Sequence, residues 1–129
     1  MREIKFRAVG LCNEGWVTGD LVRLEHETLI VPTGTAIAFS IPVIPSTVGQ
    51  STGRLDEIGK EIFEGDNGLV GNYKEICTVY WDDTKLAFCI TSANPSLNLR
   101  LLADFTWEHH IIFRVIGNIH DNPELLEAK

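Results

Sequence analysis

The sequence has few cysteines and no long apolar run. Its three cysteines, Cys12, Cys77 and Cys89, are odd in number and show no C-x-x-C spacing, which indicates reduced thiols in a cytosolic compartment. No stretch approaches the roughly 18 apolar residues of a membrane helix, and residues 1–10 lack the apolar segment of a signal peptide. We therefore expect a cytoplasmic protein with no membrane partner.

Motifs for catalysis and cofactor binding are also missing. The chain contains no G-x-G-x-x-G, P-loop or G-x-S-x-G motif, and no acidic loop typical of calcium sites. Its histidines form no H-x-x-x-H pair, and the adjacent His109 and His110 would point to opposite faces of a strand. We expect no catalytic residue, no cofactor and no metal.

Positive charge is scarce, with 11 Lys and Arg against 18 Asp and Glu and a formal net charge of −7. Such a surface repels phosphate backbones, so nucleic-acid binding is disfavoured. The exception is a basic row of Arg2, Lys5 and Arg7 on the solvent face of the first predicted strand, which is the candidate nucleic-acid contact. Ordinary solvation of that face is the simpler interpretation.

What the chain does contain suits one compact domain over residues 1–129. It is 44% hydrophobic with 11 glycines, which is typical of a folded domain that needs no disulfide or metal. Residues 1–8 alternate charged and apolar side chains, as a half-buried strand does. Apolar runs within 15–24 and 26–34 indicate strands and turns, and residues 35–44 predict a strand near a sheet edge, because Pro42 lacks a donor.

The later segments give clearer local signals. Residues 77–91 predict a hairpin around a polar turn, whereas residues 92–107 are ambiguous and we favour a loop and a short strand. Residues 109–120 predict one long strand, bent where Gly117 interrupts it. Asn122 suits a helix N-cap and Pro123 the first helical position, so a short helix is expected from Pro123 to about residue 128.

The fold class that these signals favour is mainly β. Seven or eight short strands with almost no amphipathic helix predict a small antiparallel barrel or sandwich. The pairs Gly19-Asp20 and Gly65-Asp66 share a pattern that predicts two strands beginning at similar turns, with each carboxylate accepting bonds from backbone N–H groups two residues on.

Six segments in order resemble the YopX family, a group of small bacteriophage and prophage proteins without an assigned biochemical role. They are MREIKFRA (1–8), GWVTGDLV (15–22), VGQSTG (48–53), GKEIFEGD (59–66), VYWDD (79–83) and VIGNIHDNPELL (115–126). The resemblance spans nearly the whole chain. It implies a mainly β fold with a small antiparallel β-barrel of the Src-homology-3 type, additional strands, and homo-oligomers as one form of assembly. It implies no catalytic residue.

The chain departs from the family pattern at three positions. Val9 stands where the family usually has Trp, Ser51 where it has an aromatic residue, and Ile58 where it has Asn. An Asn-Gly pair suits a two-residue hairpin turn, but a β-branched residue is disfavoured at the positive φ required there. We therefore predict a longer turn from Leu55 to Gly59, of type I with Gly59 left-handed as a bulge.

The acidic residues of this region also suggest a catalytic alternative. Glu64, Asp66 and an approaching histidine would be the groups of a small hydrolase, but strand alternation separates Glu61 from Glu64 and favours a solvated turn. The residues expected to shape the fold rather than perform chemistry are Gly19, Asp20, Gly53, Gly59, Gly65, Asp66, Gly117, Asn122 and Pro123.

Three functions follow, in order of preference. The first is a non-enzymatic phage accessory protein that acts as an interaction module on itself or on a host or phage protein. The second is a nucleic-acid-associated small barrel, and the third is the hydrolase. The absence of convergent reactive groups in a well-specified fold favours the first.

Overall fold

The computed structural model describes residues 3–107 and 110–124. Strands dominate these residues, and the helices described are 3₁₀ turns of three or four residues, at Ile37–Phe39, Pro45–Thr47 and Leu102–Phe105. The prediction of a mainly β fold is confirmed. No helix in the described ranges is long and apolar enough to cross a membrane.

The chain divides into two compact units, Met1–Ser51 and Thr52–Lys129. A single domain over residues 1–129 stays a prediction. The first unit is an antiparallel sheet in the order β4-β3-β2-β1-β5. Its strands are β1 (Phe6–Val9), β2 (Trp16–Arg23), β3 (Thr28–Pro32), β4 (Ile41–Pro42) and the beginning of β5 (Gly49–Leu55). Its core is small and consists of Ala8, Val17, Ile30 and Val43.

The edge strand of this sheet differs from its prediction. Residues 35–44 do not form one alternating strand, because Ile37–Phe39 makes a 3₁₀ turn in which the Ser40 N–H donates to the Ile37 carbonyl. Only Ile41–Pro42 remains as β4, which pairs with β3 alone. The expected edge position of Pro42 is confirmed, since a residue without an N–H fits where no further strand needs it.

Strand β2 runs through Gly19 and Asp20, where the sequence predicts a turn. Gly19 pairs with Phe6 on one side and Pro32 on the other, and Asp20 is exposed in mid-strand. The turn prediction for this pair is therefore wrong. Glycine is needed at position 19 for another reason: an added Cβ would lie 1.9 Å from the Val31 carbonyl oxygen.

The second unit contains the end of β5 and all later strands. β6 pairs with β5, β10 pairs with β11, and the remaining strands form an antiparallel sheet in the order β12-β7-β8-β9. The strands are β6 (Glu61–Phe63), β7 (Asp66–Leu69), β8 (Cys77–Asp82), β9 (Ala87–Ser92), β10 (Thr106–Trp107), β11 (His110–Ile111) and β12 (Arg114–Asn118). The core of this unit consists of Ile62, Val70, Cys77, Val79, Ile90, Leu97, Leu102, Ile111, Phe113 and Val115.

The described strands form open antiparallel sheets rather than the predicted closed barrel. In the first sheet, β4 is only two residues long and ends at Pro42, which has no N–H with which to bond a further strand. The 77–91 hairpin is confirmed, with Asp82 opposite Ala87 and Cys77 opposite Ser92. Most of the expected C-terminal helix falls on residues 125–129, outside the described part of the chain.

The turn between β5 and β6 has the predicted geometry. Gly59 has a φ of 89°, the Gly59 N–H donates to the Asp56 carbonyl at 3.1 Å, and the Asp56 N–H donates to the Lys60 carbonyl at 2.7 Å. This is the type I turn with a left-handed glycine bulge, and Ile58 stays out of the left-handed region. The predicted longer turn that pivots on a left-handed Gly59 is confirmed.

The Asp56 carboxylate fixes this turn to a distant strand. It is fully buried, and its Oδ1 accepts the backbone N–H groups of Ile58 at 3.0 Å and Lys60 at 2.8 Å. Its Oδ2 accepts the N–H of Val115 in β12 at 3.1 Å. One side chain therefore connects a hairpin turn to the edge of the second sheet.

The segment 109–120 is two strands rather than one. It turns after Ile111, where the Phe113 N–H donates to the Ile111 carbonyl, and β12 begins at Arg114. Within β12 the register shifts between Val115 and Gly117, so the predicted bend at Gly117 is confirmed. A Cβ at Gly117 would lie 2.4 Å from the Asn122 side chain, which explains the need for glycine.

Candidate functional site

A groove in the second unit lies between the turn of the β8–β9 hairpin and the loop that follows β9. Its volume is about 600 Å³. The lining combines apolar side chains with two cations and one anion, and consists of Lys85, Ala87, Asn98, Leu99, Arg100, Leu101 and Asp104. Concave surfaces with apolar walls and a few charged groups are typical binding sites, so this groove is the candidate functional site.

The loop side of the groove is held by strand-like hydrogen bonds. The Leu99 N–H donates to the Ile90 carbonyl at 2.8 Å, and the Ile90 N–H donates to the Arg100 carbonyl at 3.0 Å. Leu101 forms an isolated β-bridge with the buried Cys89. The segment 99–101 therefore extends the second sheet beyond β9 and gives the groove a fixed wall.

The hairpin side is held by Asp82. Its Oδ1 accepts the backbone N–H groups of Thr84 and Lys85, each at 2.9 Å, and its Oδ2 accepts the Tyr80 hydroxyl at 3.2 Å. These bonds, led by the one from the Lys85 N–H, hold the pKa of Asp82 below its ordinary value, against desolvation that raises it. The turn thus depends on an ionised carboxylate.

Two leucines beside the groove have an unusual backbone conformation. Leu86 has a φ of 54° and Leu99 a φ of 67°, in the left-handed region that favours glycine and asparagine. Leu86 is 74% exposed and Leu99 is 52% exposed, so burial does not offset the strain. The left-handed region costs a non-glycine residue roughly 1–2 kcal/mol. Both leucines are held in a costly conformation that presents them to solvent.

Charged side chains bind the two walls together. The Lys85 Nζ donates to the Leu99 carbonyl, joining the hairpin turn to the loop. The Arg100 Nε donates to Asp104 Oδ2 at 3.3 Å, and the Arg100 guanidinium carbon lies 5.1 Å from the centroid of the Phe105 ring. Ring and carboxylate together fix the plane of the guanidinium.

The basic row predicted from the sequence is partly occupied by neighbours. Lys5 Nζ lies 3.4 Å from Glu3 Oε1, and the Lys5 side chain is only 22% exposed. The Arg7 guanidinium stacks over the Trp16 ring at 4.8 Å from its centroid. Arg2 lies outside the described residues. Lys5 and Arg7 therefore already serve local contacts, and nucleic-acid binding by this row stays a prediction.

A small hollow of about 130 Å³ in the first unit brings several predicted residues together. It is lined by Glu3, Ile4, Lys5, Gly19, Asp20, Thr33 and Gly34. Opposite charges share this hollow, with one lysine against two carboxylates, which does not suit a phosphate-binding surface.

The Gly65-Asp66 pair lies at the predicted turn, but the Asp66 carboxylate accepts an N–H three residues before it rather than two residues on as predicted. Asp66 is 1% exposed, and its Oδ2 accepts the Phe63 N–H at 2.8 Å across the turn. Gly65 has a φ of 92°, as the turn requires.

No group of three or more His, Cys, Asp or Glu side chains that could hold a metal occurs among the described residues. Gly53 has a φ of 77° within β5.

The side chain of Asn122 bonds to Asn118, which precedes it, and its predicted role as a helix N-cap stays a prediction because residues 125–129 lie outside the described part of the chain. Its Oδ1 accepts the Asn118 N–H at 3.3 Å, and its own N–H donates to the Asn118 carbonyl at 2.9 Å. Pro123 is exposed in the turn that follows. Asn122 therefore closes a local turn at the end of β12.

Comparison with known proteins identifies the family. The YopX protein family model matches residues 5–127 of the 129 in the chain. The chain belongs to the YopX family. This YopX chain is also similar to a solved structure, the crystal structure of protein EF1440 from Enterococcus faecalis, with 22% sequence identity and a TM-score of 0.58. The similarity covers 98% of this chain and 99% of that one, and it shows the fold alone. A search of curated proteins gave no match.

The hairpin turn of the YopX chain should be sensitive to acid. Because Asp82 has a lowered pKa in the folded state, its contribution to stability is present above the pKa of an unfolded aspartate. It is lost as the pH falls through the lower, folded value. We expect the Thr84 and Lys85 amide resonances to shift with that low midpoint in an NMR titration. In Asp82→Asn, which keeps an acceptor but does not titrate, this transition should be absent; its persistence would contradict the assignment.

The groove of the YopX chain is not visible in the sequence. Its walls come from segments about 14 residues apart, joined by the Lys85–Leu99 bond, and no spacing rule connects them. The single local signal is Leu86, which ends a hairpin turn where glycine or asparagine is usual. Leu99 stands in a segment with ambiguous periodicity, so sequence reasoning missed both.

Proposed function

We propose that this YopX-family chain is a non-enzymatic protein-interaction module that docks a host or phage protein in the groove beside Leu86 and Leu99. The observation that carries the proposal is the pair of exposed leucines held in left-handed backbone. Strain of this kind at a surface is characteristic of positions kept for binding, since it does nothing for the stability of the free chain. A partner that covers both leucines buries apolar area, and this offsets the free-energy cost of their strained backbone.

The fixed walls of the groove support docking with little reorganisation. The 99–101 segment is bonded to β9, and the turn is bonded to Asp82 and through Lys85 to the loop. A preorganised surface loses less entropy when it binds, which raises the affinity available from a small contact area.

The chemistry of the cysteines supports action in the bacterial cytoplasm. Cys77 and Cys89 are buried and free, and burial is the main cause that raises the pKa of both thiols above the ordinary value. At neutral pH they are therefore protonated apolar groups of the core rather than nucleophiles. Reduced thiols of this kind fit a reducing compartment.

Asparagine substitutions separate binding from stability. Asparagine tolerates the left-handed region, so Leu86→Asn and Leu99→Asn should each leave the free energy of unfolding unchanged or raise it by about 0.5–1 kcal/mol. The double variant should bind the partner at least about tenfold more weakly, because covering two exposed leucines contributes roughly 2 kcal/mol. Urea denaturation measures the free energy of unfolding. Calorimetric titration with the captured partner measures the loss of affinity.

A matched control is available in the first unit. Leu24 is 53% exposed and has no part in the groove, so Leu24→Asn should retain wild-type binding. The bait would be the full chain in a lysate of phage-carrying cells, with wild type, Leu24→Asn and the double variant compared. A protein retained by all three, or a chain that merely pairs with itself, would contradict docking of a partner in the groove.

A further inference from the structure

Arg100 is presented in the groove as a carboxylate receptor. Its guanidinium is stacked on Phe105 and bonded through Nε to Asp104 Oδ2. Among the described residues its two Nη groups have no hydrogen-bond partner, and the side chain is 47% exposed. A guanidinium held on its face and its Nε edge, with Nη free, is preorganised for a planar anion.

Lys85 adds a second cation on the opposite wall. One of its three ammonium donors is taken by the Leu99 carbonyl, which places the charge beside the exposed leucine. Two donors remain for a ligand. The groove therefore combines apolar side chains with two positioned cations.

We propose that the groove selects a partner segment in which a carboxylate side chain stands next to a large apolar side chain. The apolar group packs against Leu86 and Leu99, and the carboxylate is bound by Arg100 with Lys85 nearby. This inference rests on the proposed docking function and adds the chemistry of the partner.

Charge complementarity favours such a peptide over a nucleic acid. The chain carries a net charge of −7, but the residues that line the groove include two cations and one anion, and that anion, Asp104, is paired with Arg100. A single carboxylate meets this local positive charge, whereas a polyanion is repelled by the rest of the molecule. The leucines also offer nothing to a phosphate backbone.

The test is an NMR titration of the full chain with short capped peptides at millimolar concentration. The probes are acetyl-Gly-Ser-Leu-Glu-Ser-Gly-amide, the same peptide with Gln for Glu, the same peptide with Ala for Leu, and a six-nucleotide oligo-dT. We expect the methyl resonances of Leu86 and Leu99 and the Nε resonance of Arg100 to shift with the Leu-Glu peptide. The Leu-Gln and Ala-Glu peptides should each bind roughly tenfold more weakly.

The Arg100→Gln variant isolates the carboxylate contact. It should bind the Leu-Glu and Leu-Gln peptides equally weakly, while Leu24→Asn keeps the wild-type preference. Equal binding of these two peptides by wild type would overturn the carboxylate preference and leave docking itself in place. Larger shifts with oligo-dT than with the Leu-Glu peptide would overturn the proposed peptide specificity in favour of a nucleic acid. If no probe shifts the resonances of Leu86, Leu99 and Arg100, the proposed peptide specificity is overturned, and the result also counts against docking in the groove.

Discussion

Replacement of Asp56 by alanine is expected to lower the free energy of unfolding by about 3 kcal/mol, since three backbone N–H groups lose their acceptor and burial hinders water from replacing it. The carboxylate is fully buried and accepts the N–H groups of Ile58, Lys60 and Val115. The hairpin turn and β12 should both loosen. Urea denaturation measures the loss, and faster hydrogen exchange at the Val115 amide locates it.

Two further variants make the Asp56 prediction specific. Asp56→Asn keeps one carbonyl acceptor but points an NH₂ group at a donor, so its cost should lie between those of wild type and alanine. Glu57→Ala removes the exposed neighbour, whose carboxylate is 3.9 Å from Arg114, and should cost less than about 0.5 kcal/mol. Equal effects of Asp56→Ala and Glu57→Ala would contradict the role of the buried carboxylate.

Gly19→Ala is expected to cost about 3 kcal/mol, at the upper end of the range for overpacked sites, because the new methyl group meets backbone rather than a movable side chain. The added Cβ would lie 1.9 Å from the Val31 carbonyl oxygen and 2.8 Å from its carbon. Strands β2 and β3 must therefore separate in the middle of the first sheet. The denaturant midpoint and hydrogen exchange of the β3 amides report this separation.

Gly34→Ala serves as the control, because it tests backbone conformation without a clash. Gly34 has a φ of 83° and nothing within 4 Å of an added Cβ. Gly34→Ala should lower the free energy of unfolding by about 1 kcal/mol, because the alanine is strained in the left-handed region. If Gly34→Ala destabilises as much as Gly19→Ala, close strand packing is not the reason for glycine at position 19.

Local features were predictable where one segment determines its own conformation. The turn at Ile58 and Gly59 follows from the φ values that the two residue types accept, and the 77–91 hairpin follows from its strand composition and polar turn. The bend at Gly117 belongs to the same class. In each case the information lies within a few residues of the feature.

Features that depend on distant segments were not predictable. Gly19 is glycine because β3 approaches it, and nothing in the sequence around Gly19 records the position of Val31. The alternation in 35–44 predicts a strand, but the chain makes a 3₁₀ turn there and leaves Ile37 and Phe39 exposed. The groove combines two such segments, and only the structure shows that Lys85 of the hairpin and Leu99 of the following loop line the same groove.

The bond between Asp56 and Val115 also has a consequence for synthesis on the ribosome. The two residues are 59 positions apart, so the carboxylate is made long before its partner in β12. Until that strand is translated, the finished β5–β6 hairpin holds an ionisable group that must remain in water. The second unit therefore cannot reach its final packing on a nascent chain that stops before Val115.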